Sequence, residues 1–226
     1  MLDTIKKNLL QIQEEIAPYK PKIIAVTKYF DENAIIAAYD AGLRDFGESR
    51  VIEAIEKINN LPAEIRNNSK FHFIGHLQTN KVKKVIGTFD YIHSVDSFKL
   101  AKEISDEAAK IGKIQQIFLQ LNNANEEQKF GFSKSELFEI FTSIKELPAV
   151  EIAGLMNMAP LGAFEDELNK LFSEVREIKN ELEQTFNCEL KEISMGMSQD
   201  YKIAAKNGAT TVSYTHLRAH ETGAYL

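Results

Sequence analysis

The chain has 226 residues, of which 44% are hydrophobic and 27% charged, as in an ordinary globular protein. Its net charge of −6 argues against a surface that binds nucleic acid, and no apolar run approaches the ~18 residues that cross a bilayer. A single cysteine, Cys188, excludes an internal disulfide framework and is typical of a cytoplasmic protein. From these three features we expect a cytoplasmic protein that binds neither nucleic acid nor membrane.

From the N-terminus onward, helical patterns alternate with short apolar runs. An amphipathic helix ends near Pro18. The predicted strands cover 22–28, 45–49, 71–75, 91–95, 114–121, 151–158, 190–197 and 210–214. The helices predicted between them cover 32–41, 50–59, 79–86, 97–111, 134–147, 164–186 and 199–206. In one of these helices, Leu100, Ile104 and Ala108 recur every four residues, which indicates a face packed on a sheet.

The strict alternation of strand and helix predicts parallel strands joined by right-handed crossovers. Eight strands fit an α/β fold of one domain, a (β/α)8 TIM-type barrel, and this length is sufficient for it. An open doubly wound sheet is the alternative. The strand count and the lack of a glycine-rich nucleotide motif favour the barrel.

Lys28 ends the first apolar strand, in the sequence KIIAVTKYF. Strand alternation places it on the face of Ile24 and Val26, so it should point into the mouth of a barrel, where active-site groups lie. A half-buried lysine amine is a nucleophile for carbonyl groups. The plainer interpretation is a lysine that reaches solvent or pairs with a carboxylate such as Glu48.

A second candidate is the segment SMGMSQDYKIAAKNGAT, which begins at Ser194. A small residue, a serine hydroxyl and a helix that begins after Ser198 are the components of an anion site, and barrels often bind phosphate after the seventh strand. The simpler interpretation is an N-cap serine. Together with Lys28, the segment suggests an aldehyde that carries a phosphate.

Two further segments contain polar residues near predicted strand ends. His72 and His76 have i,i+4 spacing, but they straddle a strand and its loop and lack further ligands, so we predict no metal site. The long loop at 122–131 favours a binding role, with surface solvation as the alternative. His216 and His220 also have i,i+4 spacing, within an atypical tail.

Separate blocks occur in a specific order along about residues 1–212: KIIAVTKYF, DFGESRVIE, FHFIGHLQTNK, HSVDS, LQLNNANEEQKFGF, GLMNMAP and SMGMSQDYKIAAKNGAT. In sequence and order these blocks resemble the YggS/PROSC family of pyridoxal phosphate homeostasis proteins. The fold of that family resembles the N-terminal barrel of alanine racemase.

The resemblance implies a pyridoxal 5'-phosphate cofactor held as a Schiff base on Lys28. It implies that Met197 and Ser198 receive the phosphate, and that Asn80, with Lys81 beside it, lies near the site. Ser49 stands where the family commonly has asparagine, which weakens or alters a contact to the ring. The family motif around Lys129 lies at the mouth.

The end of the chain departs further from the family. Ser213 stands where the family has an arginine near the pyridine nitrogen, and Thr215 stands where it has a glycine. We therefore divide the chain into a cofactor-binding barrel, 1–212, and a non-native tail, 213–226. On this interpretation the eighth strand and its closing helix are truncated or non-native, and the barrel closes poorly.

Two functions from different classes remain. The first is a monomeric protein of cofactor homeostasis, which binds pyridoxal phosphate without turnover. The alternative is a small amino-acid racemase, which needs an acid–base group on each face of the substrate Cα. Alanine racemase takes one such group from a second domain, for which no room follows residue 212, and alternation turns Tyr29 away from Lys28. A barrel enzyme acting on sugar phosphates is a third, unsupported possibility.

Overall fold

The computed structural model describes residues 2–123 and 130–215. The strands are β1 Lys22–Val26, β2 Asp45–Glu48, β3 Lys70–Phe73, β4 Tyr91–Val95, β5 Gln115–Leu121, β6 Val150–Asn157, β7 Glu192–Met195 and β8 Thr211–Tyr214. The helices are α1 Leu2–Glu15, α2 Glu32–Asp40, α3 Val51–Asn60, α4 Ala63–Asn67, α5 Val82–Val85, α6 Phe98–Lys110, α7 Lys134–Lys145, α8 Glu165–Phe186 and α9 Tyr201–Lys206. A 3-10 turn, Thr79–Lys81, leads into α5.

The strands form a closed parallel barrel in sequence order, from β1 round to β8. Each strand therefore pairs with its neighbours along the chain, and the helices cover the outside. The predicted (β/α)8 barrel is confirmed, and the open sheet is excluded.

The eighth strand corrects one expectation. β8 includes Ser213 and Tyr214, which pair with Ile24 and Ala25 of β1, and Thr211 also pairs with Ser194 of β7. The barrel thus closes, and the prediction of a damaged eighth strand was wrong. Backbone pairing needs an extended chain rather than particular side chains, so a departure from the family at Ser213 does not prevent it. Residues 216–226 lie outside the described residues, and the non-native origin of 213–226 stays a prediction.

One helix was not predicted. The five residues of α4 contain one buried side chain, Ile65, so the segment is too short to show a helical period. Pro62 precedes it, where a missing backbone N–H has no cost. The helix predicted over 79–86 is divided into the 3-10 turn and α5.

Two apolar clusters lie on opposite sides of the strands. The larger joins the strands to the surrounding helices and includes Phe73, Ile92 and the α6 residue Ile104. As predicted, α6 buries its stripe of residues spaced every four positions. The smaller cluster consists of Phe118, Ala153 and Met156. Within 2–123 and 130–215, no helix combines the length and apolar character that crossing a membrane requires.

Candidate cofactor site

A cavity of about 270 Å³ opens at the carboxyl ends of the strands. Residues from seven strands and the loops that follow them line it: Val26, Lys28, Ser49, Ile74, Gly75, His76, His93, Met156, Asn157, Met158, Ser194, Met195, Gly196, Met197, Ser213 and Thr215. A larger cavity, of about 650 Å³, lies beside α8 and contains none of the predicted site residues. We consider the smaller cavity the candidate site because charged and polar groups converge there.

Lys28 lies two residues beyond β1 and is half-buried in the cavity wall. Its Nζ is 5.1 Å from the centre of the Tyr29 ring, a distance within reach of a cation–π contact. Tyr29 itself is half exposed and does not line the cavity. The barrel therefore presents an amine at its mouth, as strand alternation predicts.

Glu48, the carboxylate considered as a partner for Lys28, instead forms a buried network behind it. Lys57 Nζ donates to Glu48 Oε1 and to the Thr27 carbonyl, each at 2.7 Å. Thr27 Oγ1 donates to Glu48 Oε1 at 2.6 Å. Glu48 and Lys57 are 1% and 8% exposed. The network fixes the backbone immediately before Lys28.

The sequence interpretation missed Lys57 because a lysine on a helix usually faces solvent. A signal was present: Ala54, Lys57 and Ile58 have the i, i+3, i+4 spacing of a buried helix face. A lysine inside an apolar stripe indicates a buried partner, although it does not identify that partner.

The loop after β7 brings its backbone close to α9. Gly196 has φ +96°, and a Cβ there would lie 2.5 Å from the Ala204 Cβ, so only glycine fits without movement. Asp200 Oδ1 accepts from the Met197 N–H at 2.5 Å. Burial raises the pKa of the Asp200 carboxyl, against the opposing effect of this hydrogen bond.

This loop differs from the predicted anion site in two respects. The helix begins at Tyr201, two residues later than predicted. Ser198 does not line the cavity, and its Oγ accepts from the Thr215 N–H at 3.1 Å. Met197 does line the cavity, with 39% of its surface exposed. The described contacts therefore join Ser198 to the end of β8.

The other predicted residues divide between the cavity and its surroundings. Ser49 lines the cavity, whereas Asn80 is exposed on the 3-10 turn and does not. Ser213 and Thr215, where the chain departs from the family, both line it. Lys129 lies outside the described residues, as do His216 and His220.

His72 and His76 have different environments despite their spacing. His76 lies in the cavity wall, where its ring stacks on Phe130 at 3.7 Å and its Nδ1 is 3.4 Å from Asp96 Oδ2. His72 lies inside the barrel and contacts Asp45 and His93. The two imidazoles therefore do not converge on one point.

A buried polar chain inside the barrel was not predicted at all. His72 Nε2 is 3.0 Å from Asp45 Oδ1, His72 Nδ1 is 2.9 Å from His93 Nε2, and His93 Nδ1 is 2.9 Å from Ser194 Oγ. Burial lowers the pKa of His72, and it lowers the pKa of His93 well below the ordinary value. Both imidazoles are therefore neutral at pH 7.

An unpaired acceptor in the wall bears on whether a polar cofactor fits. Asn157 is buried, and its Nδ2 donates to the Leu121 carbonyl and to Asn123 Oδ1. Its Oδ1 has no hydrogen-bond partner within the described residues. A buried acceptor of this kind needs a donor from water or a ligand. With the Lys28 amine, it suits a small polar molecule that carries an aldehyde.

Comparison with known proteins identifies a family model and relatives that cover most of the chain. Residues 1–219 match the family described as alanine racemase, N-terminal domain. Two relatives named pyridoxal phosphate homeostasis protein cover most of both chains. The Aquifex aeolicus protein is 37% identical, over 84% of this chain and 82% of its own. The protein from a Synechocystis species is 38% identical, over 86% of this chain and 88% of its own.

A solved structure also matches. PipY of Synechococcus elongatus, determined with pyridoxal phosphate bound, has a TM-score of 0.85 and 35% identity, covering 94% of this chain and 98% of its own.

Proposed function

The chain belongs to the alanine racemase N-terminal domain family, in the branch named pyridoxal phosphate homeostasis proteins, and we therefore propose that it binds pyridoxal 5'-phosphate for cofactor homeostasis. The observation that carries the proposal is the Lys28 amine in the wall of a small polar cavity at the barrel mouth. When bound, the cofactor supplies an aldehyde that bonds covalently to an amine. Lys28 is the one primary amine among the described lining residues.

The surrounding residues have separate roles in this proposal. Thr27, Glu48 and Lys57 hold the backbone before Lys28, so that its amine reaches the cavity from a fixed position. Asn157 Oδ1 accepts a hydrogen bond from a polar substituent of the cofactor. The loop at Met197 is assigned to the phosphate on the strength of the family resemblance, with Ser198 shaping it from outside the wall.

We propose a carrier without turnover rather than a racemase. Besides Lys28, the titratable described residues in the wall are His76 and His93. His93 has both ring nitrogens within hydrogen-bond distance of His72 and Ser194, and His76 faces Asp96. His93 is therefore committed, and His76 is the one further acid–base group among the described lining residues, so the preference for a carrier rests on the names of the relatives. The single cysteine supports a cytoplasmic location, and the monomeric state stays a prediction.

The experiment is a titration with pyridoxal 5'-phosphate followed by visible absorption, then borohydride reduction and peptide mapping. We expect a visible band and a reduced adduct on Lys28, and no adduct in Lys28→Ala. Lys81→Ala is the matched control, because Lys81 lies near the mouth but does not line the cavity. An adduct that persists in Lys28→Ala, or no adduct in the unmodified chain, would refute the proposal. Interconversion of L- and D-amino acids by the loaded protein would favour the racemase.

A further inference from the structure

The four side chains Asp45, His72, His93 and Ser194, here called the interior chain, cross the inside of the barrel. Each belongs to a different strand: Asp45 to β2, His72 to β3, His93 to β4 and Ser194 to β7. Its three links measure 2.9–3.0 Å, which is ordinary for hydrogen bonds. Since Asp45 begins β2 and Ser194 lines the cavity, the interior chain joins the two ends of the barrel.

A local irregularity of β4 accompanies the placement of His93. The register of β4 against β5 shifts between Ile92 and Val95, because an advance of three residues along β4 matches an advance of two residues along β5. Such a bulge changes the direction of the side chains within it. His93 lies in this segment and is fully buried, in contact with both His72 and Ser194.

The direction of every hydrogen bond follows from the acceptor at one end. An ionised Asp45 carboxylate only accepts, so His72 Nε2 carries a hydrogen and donates to it. A neutral His72 then has an acceptor at Nδ1, which receives the hydrogen on His93 Nε2. His93 Nδ1 is in turn the acceptor for the Ser194 hydroxyl. The lone pairs of Ser194 Oγ are consequently left to accept from the cavity.

An aromatic ring stacks on each of the two buried imidazoles. Tyr91 stacks on His72 with ring centres 4.7 Å apart, and Phe118 stacks on His93 at 4.1 Å. His72 and His93 are 2% and 0% exposed, whereas the Asp45 side chain is 18% exposed. Water at the amino-terminal end thus reaches Asp45 but not the imidazoles.

We propose that the interior chain is a proton relay, which carries a proton from the cavity to Asp45 and thence to solvent at the amino-terminal end of the barrel. This inference rests on the proposed function, because an ammonium on Lys28 must lose a proton before its nitrogen bonds to an aldehyde carbon. Asp45, His72 and His93 act through Ser194, and they are positioning residues rather than catalytic ones.

The proton count balances at each link. A proton that arrives on Ser194 Oγ releases the hydroxyl hydrogen to His93 Nδ1. His93 passes its Nε2 hydrogen to His72 Nδ1, and His72 passes its Nε2 hydrogen to Asp45 Oδ1. One proton enters at the cavity and one is released from Asp45, without change in the oxidation state of any atom.

The first test uses the unmodified full chain without cofactor, labelled with ¹⁵N-histidine. At pH 7 we expect His72 and His93 to carry their hydrogen on Nε2 alone, as the ¹⁵N shifts of the rings report. A hydrogen on Nδ1 of either ring, or on both nitrogens, would overturn the assigned direction. This test needs no variant that might unfold and no bound ligand.

The second test measures how fast the visible band forms with pyridoxal 5'-phosphate, in H₂O and in D₂O. Asp45→Asn preserves size but lowers the affinity for a proton at the exit. His72→Gln replaces the imidazole with an amide, which still forms hydrogen bonds but cannot exchange tautomers as an imidazole does. We expect each variant to slow adduct formation on Lys28 by at least about tenfold, since positioned proton transfer contributes factors of that order or more. The solvent isotope effect of the unmodified chain should change in both.

Asp90→Asn is the matched control. Asp90 also lies at the amino-terminal end and acts on His72 through its charge, but it accepts from the Phe71 N–H and from Lys70 rather than from a histidine. Equal slowing by Asp45→Asn and Asp90→Asn, or no slowing by Asp45→Asn, would overturn the relay. If the unmodified chain forms no adduct, the proposed function fails, and the ¹⁵N result still decides the direction of the interior chain.

Discussion

Replacing Lys57 with methionine should be among the most destabilising single changes near the site. Lys57→Met keeps an unbranched side chain but removes the ammonium that contacts Glu48 and the Thr27 carbonyl. Glu48 is 1% exposed, so its carboxylate would remain buried with one hydrogen bond, from Thr27. Removing one partner of a buried ion pair costs about 3–5 kcal/mol of unfolding free energy.

The assay is urea denaturation at pH 7, supported by thermal melting. In a chain of this length, 1 kcal/mol corresponds to about 2–4 °C, so the melting temperature should fall by roughly 6–20 °C. Lys102→Met is the control, because Lys102 pairs with Asp106 at 2.6 Å on an exposed face of α6. Lys102→Met should lower the unfolding free energy by at most about 0.5 kcal/mol.

The comparison of these two lysines also tests the role assigned to the network. At temperatures where Lys57→Met is still folded, its adduct on Lys28 should form with lower affinity than in Lys102→Met, because the backbone before Lys28 is no longer fixed. Equal stability of the two variants would show that Lys57 does not offset the burial of Glu48, and it would refute the reasoning from the buried network.

Three further predictions concern the cavity wall, the buried histidines and the loop after β7. Ser213→Arg should lower the Kd for pyridoxal 5'-phosphate by about tenfold or more, since a hydrogen bond to a charged group contributes about 1.5–3 kcal/mol; unchanged affinity in absorbance titrations would contradict this. The pKa values of His72 and His93 are lowered, so the unfolded chain binds protons before the folded chain does as the pH drops below about 6.5. The unfolding free energy should then fall by up to about 1.4 kcal/mol per pH unit for each histidine. Denaturation series at pH 7 and pH 5 should show a smaller fall in His93→Gln than in the unmodified chain. Gly196→Ala should destabilise more than Gly42→Ala, because both glycines have positive φ but only Gly196 would bring a Cβ into contact, and equal melting temperatures would contradict this.

Local sequence patterns were sufficient to predict the architecture, because a buried strand and a packed helix each impose a period on the apolar residues of the sequence. β4 was predicted with both of its bounds, and α8 differs from its prediction by one residue at its start. Lys28 was assigned to the barrel mouth by the same alternation. These predictions depend only on residues that are neighbours along one element.

The polar networks were not predictable in this way because their members are distant in sequence. Ser194 and His93 are 101 residues apart, and Lys57 reaches Thr27 across 30 residues. A single histidine or lysine within an apolar pattern indicates that a partner exists, but the partner is determined by the register of strands that are not adjacent in the chain. The assignment of Asn80 stays a prediction: it does not line the cavity, and a family block does not specify how a short turn directs its side chains.

The interior of this barrel combines stability and binding in one set of contacts. Burying two imidazoles and a hydroxyl is favourable only when each polar group is hydrogen-bonded, and the three links of the interior chain meet that requirement with the Asp45 carboxylate as the final acceptor. The same requirement gives every link a direction, so a carboxylate at the amino-terminal end determines what the Ser194 hydroxyl presents to the cavity. An apolar interior of equal volume would stabilise the barrel but would leave the cavity unconnected to the opposite end. The polar interior therefore has a consequence for the site that close packing alone does not explain.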